Sequence, residues 1–305
     1  MGVVAAFGPI WILTAAGYLA RRLGLVGQQA TAALGRLVFH LAMPAALFLT
    51  LSKTPVTDLG AGRALIAFGA SMAIVIVVGW VLAERWHGRR DGEPVIWGMA
   101  AGYVNSANLG LPVALHVLGD ASFMAQALLL QVLVVTPLIL IALERRRGGG
   151  RMRLRRVAGL PLRNPIILGS ALGVAVSVSD VPLPVVAQTS LALLAAAAVP
   201  LALLTLGASL HRDQPASRVP LTEVAAVTSL KVLGQPLVAY GIGLALQLTP
   251  AQLLAVVVCA ALPTAQNTFI FAQEHQAGEE FASRVVLLTT MLSLGILAAA
   301  PALLS

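Results

Sequence analysis

The stretch GMAAGYVNSANLGLPVALHVLG, residues Gly98–Gly119, is apolar enough for a membrane interior yet polar and proline-containing at its centre. A second stretch, AVVVCAALPTAQNTFIFAQ at Ala255–Gln273, has the same character. Proline removes a backbone hydrogen bond and clashes with the preceding turn, so we expect each helix to break at its cluster. Freed backbone groups are tolerated at membrane depth only where protein or a water-filled cavity satisfies them. The two stretches therefore predict two interrupted membrane helices.

The composition of the whole chain also indicates a membrane protein. Of the 305 residues, 58% are hydrophobic and 10% are charged, whereas a soluble domain carries about a quarter charged residues. This excludes a soluble enzyme, a nucleic-acid-binding domain and a disordered chain. Continuous apolar runs favour helices over a β-barrel, whose strands alternate. The N-terminal run has no basic residues before it, so we interpret it as a first span and not as a signal peptide.

Ten apolar stretches are long enough to cross a bilayer, since a helix needs about 20 residues to cross roughly 30 Å of hydrocarbon. The predicted spans are 3–20, 31–51, 61–83, 94–118, 122–143, 163–179, 183–210, 220–247, 250–273 and 281–304. The fold class is therefore an all-α polytopic membrane protein with ten transmembrane helices.

The distribution of basic residues supports this count. With ten spans, 17 of the 20 Lys and Arg residues fall in or beside alternate loops, which the positive-inside rule places in the cytoplasm. Both termini are then outside, and the net charge of +8 marks a membrane face and not a nucleic-acid site. The most basic loop, Glu144–Arg163, is interpreted as a topology anchor and linker; contact with anionic membrane lipids is the alternative.

The two sides of this linker resemble each other. Pro9, Ile10 and Gly17 match Pro165, Ile166 and Gly173 at an offset of 156, and Ser106–Asn108 matches Thr264–Gln266 at 158. We therefore divide the chain into a first repeat (1–143), a basic cytoplasmic linker (144–162) and a second repeat (163–305). Because each repeat has five spans, the second enters the membrane from the opposite side. Such inverted repeats are typical of secondary transporters, whose sites lie near the midplane.

A candidate substrate site lies at the two predicted breaks. Each break creates a new helix N-terminus with a partial positive charge, and amide side chains add donors, so the pair predicts a site for an anion such as a carboxylate. The alternative for any one polar residue is interhelical hydrogen bonding. The breaks are assigned to Gly110, Pro112 and Pro263. The candidate binding residues are Asn105, Ser106, Asn108, Pro112, Pro263, Thr264, Gln266 and Asn267.

Few other polar residues lie within the spans. Lys231 could balance an anionic substrate or couple to protons; alternatively it snorkels to the cytoplasmic surface or has a structural partner. Gln131, Thr136 and Gln188 are expected to face the interior, without an assigned role. No carboxylate lies mid-span and no metal site or cofactor is predicted, which disfavours an antiporter built on buried acids. Sodium coupling through carbonyl, amide and hydroxyl oxygens stays open, as does proton coupling.

An enzyme is not expected. The nearest nucleophile pair, Ser209 and His211, is two residues apart, and such residues do not face each other on a helix. No glycine-rich phosphate loop follows a strand, which argues against an ATP-driven pump.

Motifs along the whole chain resemble the auxin efflux carrier family in its bacterial branch. They are LAMPAALF (Leu41–Phe48), NSANLGLP (Asn105–Pro112), RNPIILGSALG (Arg163–Gly173), TLGASL (Thr205–Leu210), the Lys231 and Pro236 pair, and PTAQNTF (Pro263–Phe269). The resemblance implies a five-plus-five inverted repeat whose fourth and ninth helices cross. It implies a scaffold of spans 1, 2, 6 and 7, often dimeric, and a moving domain of spans 3–5 and 8–10.

The same resemblance implies the activity: a secondary carrier of a small organic anion, auxin-like or malonate-like, in the bacterial inner membrane. In that interpretation an elevator movement carries the crossover site past the scaffold. Two alternatives stay open. One is a carrier similar to the bile-acid/sodium symporters with sodium coupling, and the other is a membrane receptor without transport.

Overall fold

Helices form the regular structure of the chain in the residues that the structure, a computed structural model, describes. These are residues 2–53, 62–87, 92–110, 113–114, 118, 122–147, 165–179, 183–211 and 219–304. Within them the helices occupy ten stretches, labelled α1 to α10, each of which overlaps one predicted span.

The first five stretches precede the linker. They are α1 (Gly2–Arg22), α2 (Gln28–Leu37, Val38–Ala42 and Met43–Ser52), α3 (Gly62–His87), α4a (Glu93–Gly102), α4b (Ser106–Gly110) and α5 (Ser122–Leu130, Gln131–Val135 and Thr136–Arg147). The remaining five are α6 (Pro165–Ser179), α7 (Val185–Leu210), α8 (Leu221–Ser229, Leu230–Gly234 and Gln235–Ala245), α9a (Pro250–Ala261), α9b (Asn267–Glu274) and α10 (Glu279–Leu304).

Several described helices are suited to a bilayer. Four of them are both long and apolar enough to cross a membrane, judged by length and composition: Gln28–Ser52, Gly62–Trp86, Ser122–Arg146 and Val185–Ser209. Pro165–Ser179 and Pro250–Ala261 are shorter apolar helices. The described residues therefore form a helical protein with several apolar helices.

Helices α2, α5 and α8 each contain a π-helical turn. The turns are Val38–Ala42, Gln131–Val135 and Leu230–Gly234, and the prolines that follow them are Pro44, Pro137 and Pro236. Each turn ends two residues before its proline, which lacks an N–H group and clashes with the carbonyl four residues earlier. A wider turn relieves that clash while the helix continues.

Helices α1, α2, α6 and α7 pack against one another. The closest approach joins α1 to α7, where Gly17 faces the backbone carbonyl of Leu204 and Gly207 faces that of Thr14. A Cβ atom at either glycine would collide with these carbonyl oxygens. Small residues allow such backbone contact between membrane helices, and backbone atoms cannot move aside as a side chain can.

Helices α3, α4a, α8, α9a and α10 form a second set of mutual contacts, which α5 joins. Here α3 and α4a approach through glycine, because a Cβ at Gly98 would lie 2.7 Å from the carbonyl oxygen of Ile76. In the middle of α4a, the ring of Trp97 stacks on Phe281 of α10 with centroids 4.3 Å apart. This second set contains both interrupted helices and therefore positions the candidate site.

The two sets also touch each other at several places, one of which is where α2 meets α9b. The rings of Phe39 and Phe271 meet edge to face at 5.5 Å, and His40 Nε2 lies 3.9 Å from Glu274 Oε1. These described contacts are made by side chains, which can exchange partners more readily than the backbone contacts between α1 and α7.

Candidate functional site

The unwound segments of α4 and α9 contact each other directly. Between α4a and α4b, the backbone N–H of Asn105 donates to the carbonyl of Pro263 at 2.9 Å. In return, the N–H of Ala265 donates to the carbonyl of Tyr103, also at 2.9 Å. Val104 and Thr264 face each other between these bonds as an isolated antiparallel bridge. Backbone groups freed by one interruption are thus partly satisfied by the other, as a low-dielectric environment requires.

Side chains of α5 hold the first unwound segment. Gln131 Oε1 accepts a hydrogen bond from the Val104 N–H at 2.9 Å, and Gln131 Nε2 donates to the Val104 carbonyl at 3.2 Å. The same Nε2 donates to Ser106 Oγ. One turn along α5, Thr136 Oγ1 lies 2.8 Å from the hydroxyl of Tyr103. A single glutamine side chain therefore supplies partners for both backbone groups of Val104 and for the hydroxyl of Ser106.

The second unwound segment is held by a related arrangement. Thr264 Oγ1 donates to the Ala100 carbonyl at 2.7 Å, and the Thr264 N–H donates to Thr289 Oγ1 of α10 at 3.2 Å. Thr289 follows Gln131 by 158 residues, and Thr264 follows Ser106 by the same number. The two breaks are thus each supported by the helix that follows them in the chain, at matching positions.

Lys231 and Gln235 of α8 bind the ends of both half-helices. Lys231 Nζ donates to the Ala260 carbonyl in the last turn of α9a at 2.9 Å and to Gln235 Oε1 at 2.5 Å. Gln235 Nε2 in turn donates to the carbonyl of Gly102, the last residue of α4a, at 3.1 Å. The last carbonyls of a helix lack intrahelical partners and carry partial negative charge. An ammonium and an amide therefore cap the two C-terminal ends that the breaks create.

The burial of Lys231 corrects one of the alternatives considered for it. Its side chain is fully buried at 0% exposure, so it does not snorkel to a surface but points to the junction. Among the described residues, no carboxylate pairs with Lys231, and no group of three or more His, Cys, Asp or Glu is arranged to hold a metal ion. The junction is therefore rich in donors and carries a buried positive charge when this amine is protonated.

The predicted site residues are distributed around the junction as follows. Asn105, Ser106, Pro263, Thr264 and Gln266 are buried, and Asn267 is half-buried as the first residue of α9b. Asn108 belongs to α4b, although its side chain is outside the described part, and Pro112 is outside the described residues. Gly110 ends α4b and packs against Met124 and Leu262, whose nearest atoms would lie 2.5 and 3.0 Å from a Cβ.

The first interruption begins earlier than the proline suggested. Helix α4a already ends at Gly102, well before Pro112, and Gly110 lies within a π-helical turn. The physical reason is that the amide side chains of Gln235 and Gln131 bind the backbone groups of Gly102 and Val104 in place of helical hydrogen bonds. The second interruption begins at Leu262, next to Pro263.

Two buried polar atoms at the junction lack a partner among the described residues. They are Asn105 Nδ2 and Thr268 Oγ1, and their residues are 3% and 0% exposed. A buried polar atom without a hydrogen bond costs about 1–3 kcal/mol. Orphaned atoms of this kind are a recognised signal of a missing ligand or water. The orphaned Asn105 amide would donate to an acceptor, and Thr268 could either donate or accept.

Several residues at the junction were given no role from the sequence. Gln131 and Thr136 do face the interior, as expected, but their bonds to the first unwound segment were not predicted; Gln235 and Thr289 were not identified. The offset of 158 residues that relates Ser106 to Thr264 also relates Gln131 to Thr289, so it would have pointed from Gln131 to Thr289. Gln188 was wrongly expected to face the interior: it is exposed on α7, because hydropathy alone does not define which side of an apolar helix packs.

The chain is similar to known membrane transport proteins along most of its length. A family described as "Membrane transport protein" matches residues 3–156 and 151–300. A Rhizobium meliloti (strain 1021) protein named "Putative malonate transporter" is 29% identical over 304 residues, covering 95% of this chain and 91% of its own. An uncharacterized transporter of Methanothermobacter thermautotrophicus is 27% identical, covering 96% of both chains. A third, the uncharacterized transporter YfdV of Escherichia coli (strain K12), is 23% identical, covering 87% of this chain and 85% of its own.

The family match spans nearly the whole chain and agrees with a multi-pass membrane protein built from apolar helices. The chain belongs to this membrane transport protein family, that of the auxin efflux carriers, and is a transporter rather than an enzyme.

Proposed function

We propose that this transporter is a secondary carrier of a small organic anion and that the substrate binds where the two interrupted helices meet. The observation that carries the proposal is the buried, unpartnered Asn105 amide at that junction. A carboxylate would accept the missing hydrogen bond, and such bonds to charged groups contribute about 1.5–3 kcal/mol. Gln266 and Asn267, at the start of α9b, supply further donors beside the partly positive end of that helix.

The charge of the junction supports an anion over a cation. Lys231 is buried, and its ammonium donates to the carbonyl of Ala260, one turn before Pro263. No carboxylate among the described residues neutralises its charge. A cation carrier built on buried acids would have negative charge at its site instead. The name of the Rhizobium relative makes malonate, a small dicarboxylate, the first substrate to test.

The proposed movement is an elevator-like alternating access. Helices α1, α2, α6 and α7 would form the scaffold, and α3–α5 with α8–α10 would carry the site. The backbone contacts within the scaffold, such as Gly17 with Leu204, favour a rigid body. The side-chain contacts between Phe39 and Phe271 and between His40 and Glu274 favour an interface that can slide. We further propose that two scaffolds pair as a homodimer.

The proposed orientation follows from the basic loops. Both termini would be outside and the linker in the cytoplasm of a bacterial inner membrane, with the two repeats inverted and α4 crossing α9 near the midplane. The equal offset between Ser106 and Thr264 and between Gln131 and Thr289 supports the repeat. Cysteine labelling with a membrane-impermeant reagent at added cysteines in the linker and at residue 305 would test this orientation.

Uptake into proteoliposomes tests the proposed function. Radiolabelled malonate should show saturable flux, competed by other small carboxylates, and runs with and without sodium or proton gradients identify any coupling ion. Asn105→Ala and Gln266→Ala should raise the KM roughly tenfold or more, because each removes a bond to a charged group. Gln188→Ala, at an exposed amide on α7, is the matched control. Unchanged KM in both junction variants would overturn the site, and no binding or flux with a broad panel of organic acids would overturn the function.

A further inference from the structure

An apolar groove lies between α3, α4a and α5, away from the junction. Its volume is about 190 Å³, larger than the engineered cavity of about 150 Å³ that accepts benzene. All its lining residues are apolar; those on α3 include Gly69, Ala73 and Trp80, and those on α5 include Leu138 and Ala142. Because it offers no polar side chain along its length, the groove suits a hydrocarbon chain and not the anionic substrate.

The length of the groove matches one leaflet of a bilayer. On α3 the lining extends from Gly69 to Trp80, which corresponds to about 16 Å at the rise of an α-helix. The hydrocarbon core of a bilayer is about 30 Å thick, so the groove extends over about half of it. A single acyl chain of a membrane lipid would have this reach.

One end of the groove is charged and has the composition of a membrane interface. The indole N–H of Trp80 donates to Glu84 Oε1 at 2.9 Å, and the guanidinium of Arg146 lies 5.1 Å from the centroid of the Trp80 ring. Arg146 also pairs with Glu84. Tryptophan and arginine concentrate where hydrocarbon gives way to headgroups, which places this end of the groove at the headgroup level.

The positive charge of the four arginines at that end exceeds what the two acidic residues beside them, Glu84 and Glu144, can balance. Arg146 is followed in the chain by Arg147 and preceded by Arg145, which is exposed, as is Arg85 on α3. Clusters of basic residues beside a membrane helix attract anionic lipids. A zwitterionic headgroup would not use this excess of positive charge.

We propose that the groove binds one acyl chain of an anionic phospholipid, with its headgroup at Arg145 and Arg146. The lipid would lie between α3 and α5 in the leaflet on the side of the basic linker. This site is separate from the substrate junction and does not depend on the transported anion.

Quenching of Trp80 by brominated lipids tests the site on the purified full chain in detergent. Phosphatidylglycerol and phosphatidylcholine, each brominated along the acyl chain, are titrated against the protein, and the signal lost in Trp80→Phe is assigned to Trp80. We expect half-maximal quenching at a fraction of phosphatidylglycerol about fivefold lower than that of phosphatidylcholine, because one arginine beside an anionic lipid strengthens binding by about that factor. Arg145→Gln, which leaves the pair of Arg146 and Glu84 intact, should remove most of that preference.

A groove-filling variant separates a site from general contact with lipid. Ala73→Phe should weaken quenching by either lipid several-fold, because its ring would occupy the groove, while Ala245→Phe, at an exposed alanine near the end of α8, should leave it unchanged. Equal quenching by the two lipids would overturn the anionic headgroup. Quenching that is the same in Ala73→Phe and in the unsubstituted protein would overturn the groove as a binding site.

Discussion

Replacing Gln131 with leucine should destabilise the protein more than replacing Thr289, the residue that supports the second unwound segment. The side chain is fully buried and makes three hydrogen bonds: it accepts one from the Val104 N–H and donates to the Val104 carbonyl and to Ser106 Oγ. Leucine fills a similar volume but makes none of these bonds. The Val104 carbonyl keeps its second bond, from the N–H of Ser106, so the Val104 N–H is the backbone group left without a partner.

The expected loss follows from these bonds. A buried N–H without a partner costs about 1–3 kcal/mol, and two further interhelical bonds contribute about 0.6 kcal/mol each in a membrane protein. Gln131→Leu should therefore lower the free energy of unfolding by about 2–4 kcal/mol. Thr289→Val orphans the Thr264 N–H alone and should cost about 1–3 kcal/mol.

Cys259 provides the measurement. It is the single cysteine of the chain and is fully buried, so a thiol-reactive fluorophore should label it only on unfolding. Denaturation midpoints should fall in the order unsubstituted, Thr289→Val, Gln131→Leu, with Gln188→Leu at the unsubstituted value and Thr289→Ser close to it. If Gln131→Leu has the same denaturation midpoint as Gln188→Leu, Gln131 does not support the break and the reasoning fails.

Two further predictions concern the helix ends and the helix contacts. Lys231→Met leaves the Ala260 carbonyl in the last turn of α9a uncapped and removes the buried charge. Malonate flux in proteoliposomes should therefore fall at least tenfold, while Cys259 stays protected from labelling. Flux equal to that of the unsubstituted carrier would show that the charge is not needed. Gly17→Ala introduces a Cβ against the backbone of Leu204 and should clearly lower the denaturation midpoint measured by Cys259 labelling. Gly241→Ala, whose added Cβ meets nothing within 4 Å, should leave the midpoint unchanged or raise it slightly. Equal effects of the two substitutions would refute the close contact of α1 and α7.

The helices were largely predictable from the sequence because hydropathy and charge act over whole segments. The predicted spans 183–210 and 220–247 correspond to Val185–Leu210 and Leu221–Ala245 within a few residues. Apolar runs of this length have few alternatives to helix in a bilayer, since every backbone group must be bonded internally. Prolines and charged residues then limit where each helix ends.

The internal supports of the break were not predictable in the same way. A hydropathy count treats Gln131 as one polar residue in an apolar span and does not define what it faces. The π-helical turns at Gln131–Val135 and Leu230–Gly234 change the direction in which Gln131 and Lys231 point, and this rotation reflects a proline several residues away. The bond between Lys231 and Ala260 joins residues of different helices, so no local pattern contains it.

The two halves differ in chemistry where α3 corresponds to α8. At the offset of 156 residues that relates Pro9 to Pro165 and Gly17 to Gly173, the counterparts of Lys231 and Gln235 are Val75 and Gly79. Val75 is fully buried, and a Cβ at Gly79 would lie 3.0 Å from the Trp97 carbonyl, so α3 packs directly on α4a with no room for a polar cap. In the part of the chain that the structure describes, the side chains that cap both C-terminal ends therefore come from α8. One ammonium and one amide already cap both C-terminal ends, and a second buried lysine would add a desolvation penalty of its own.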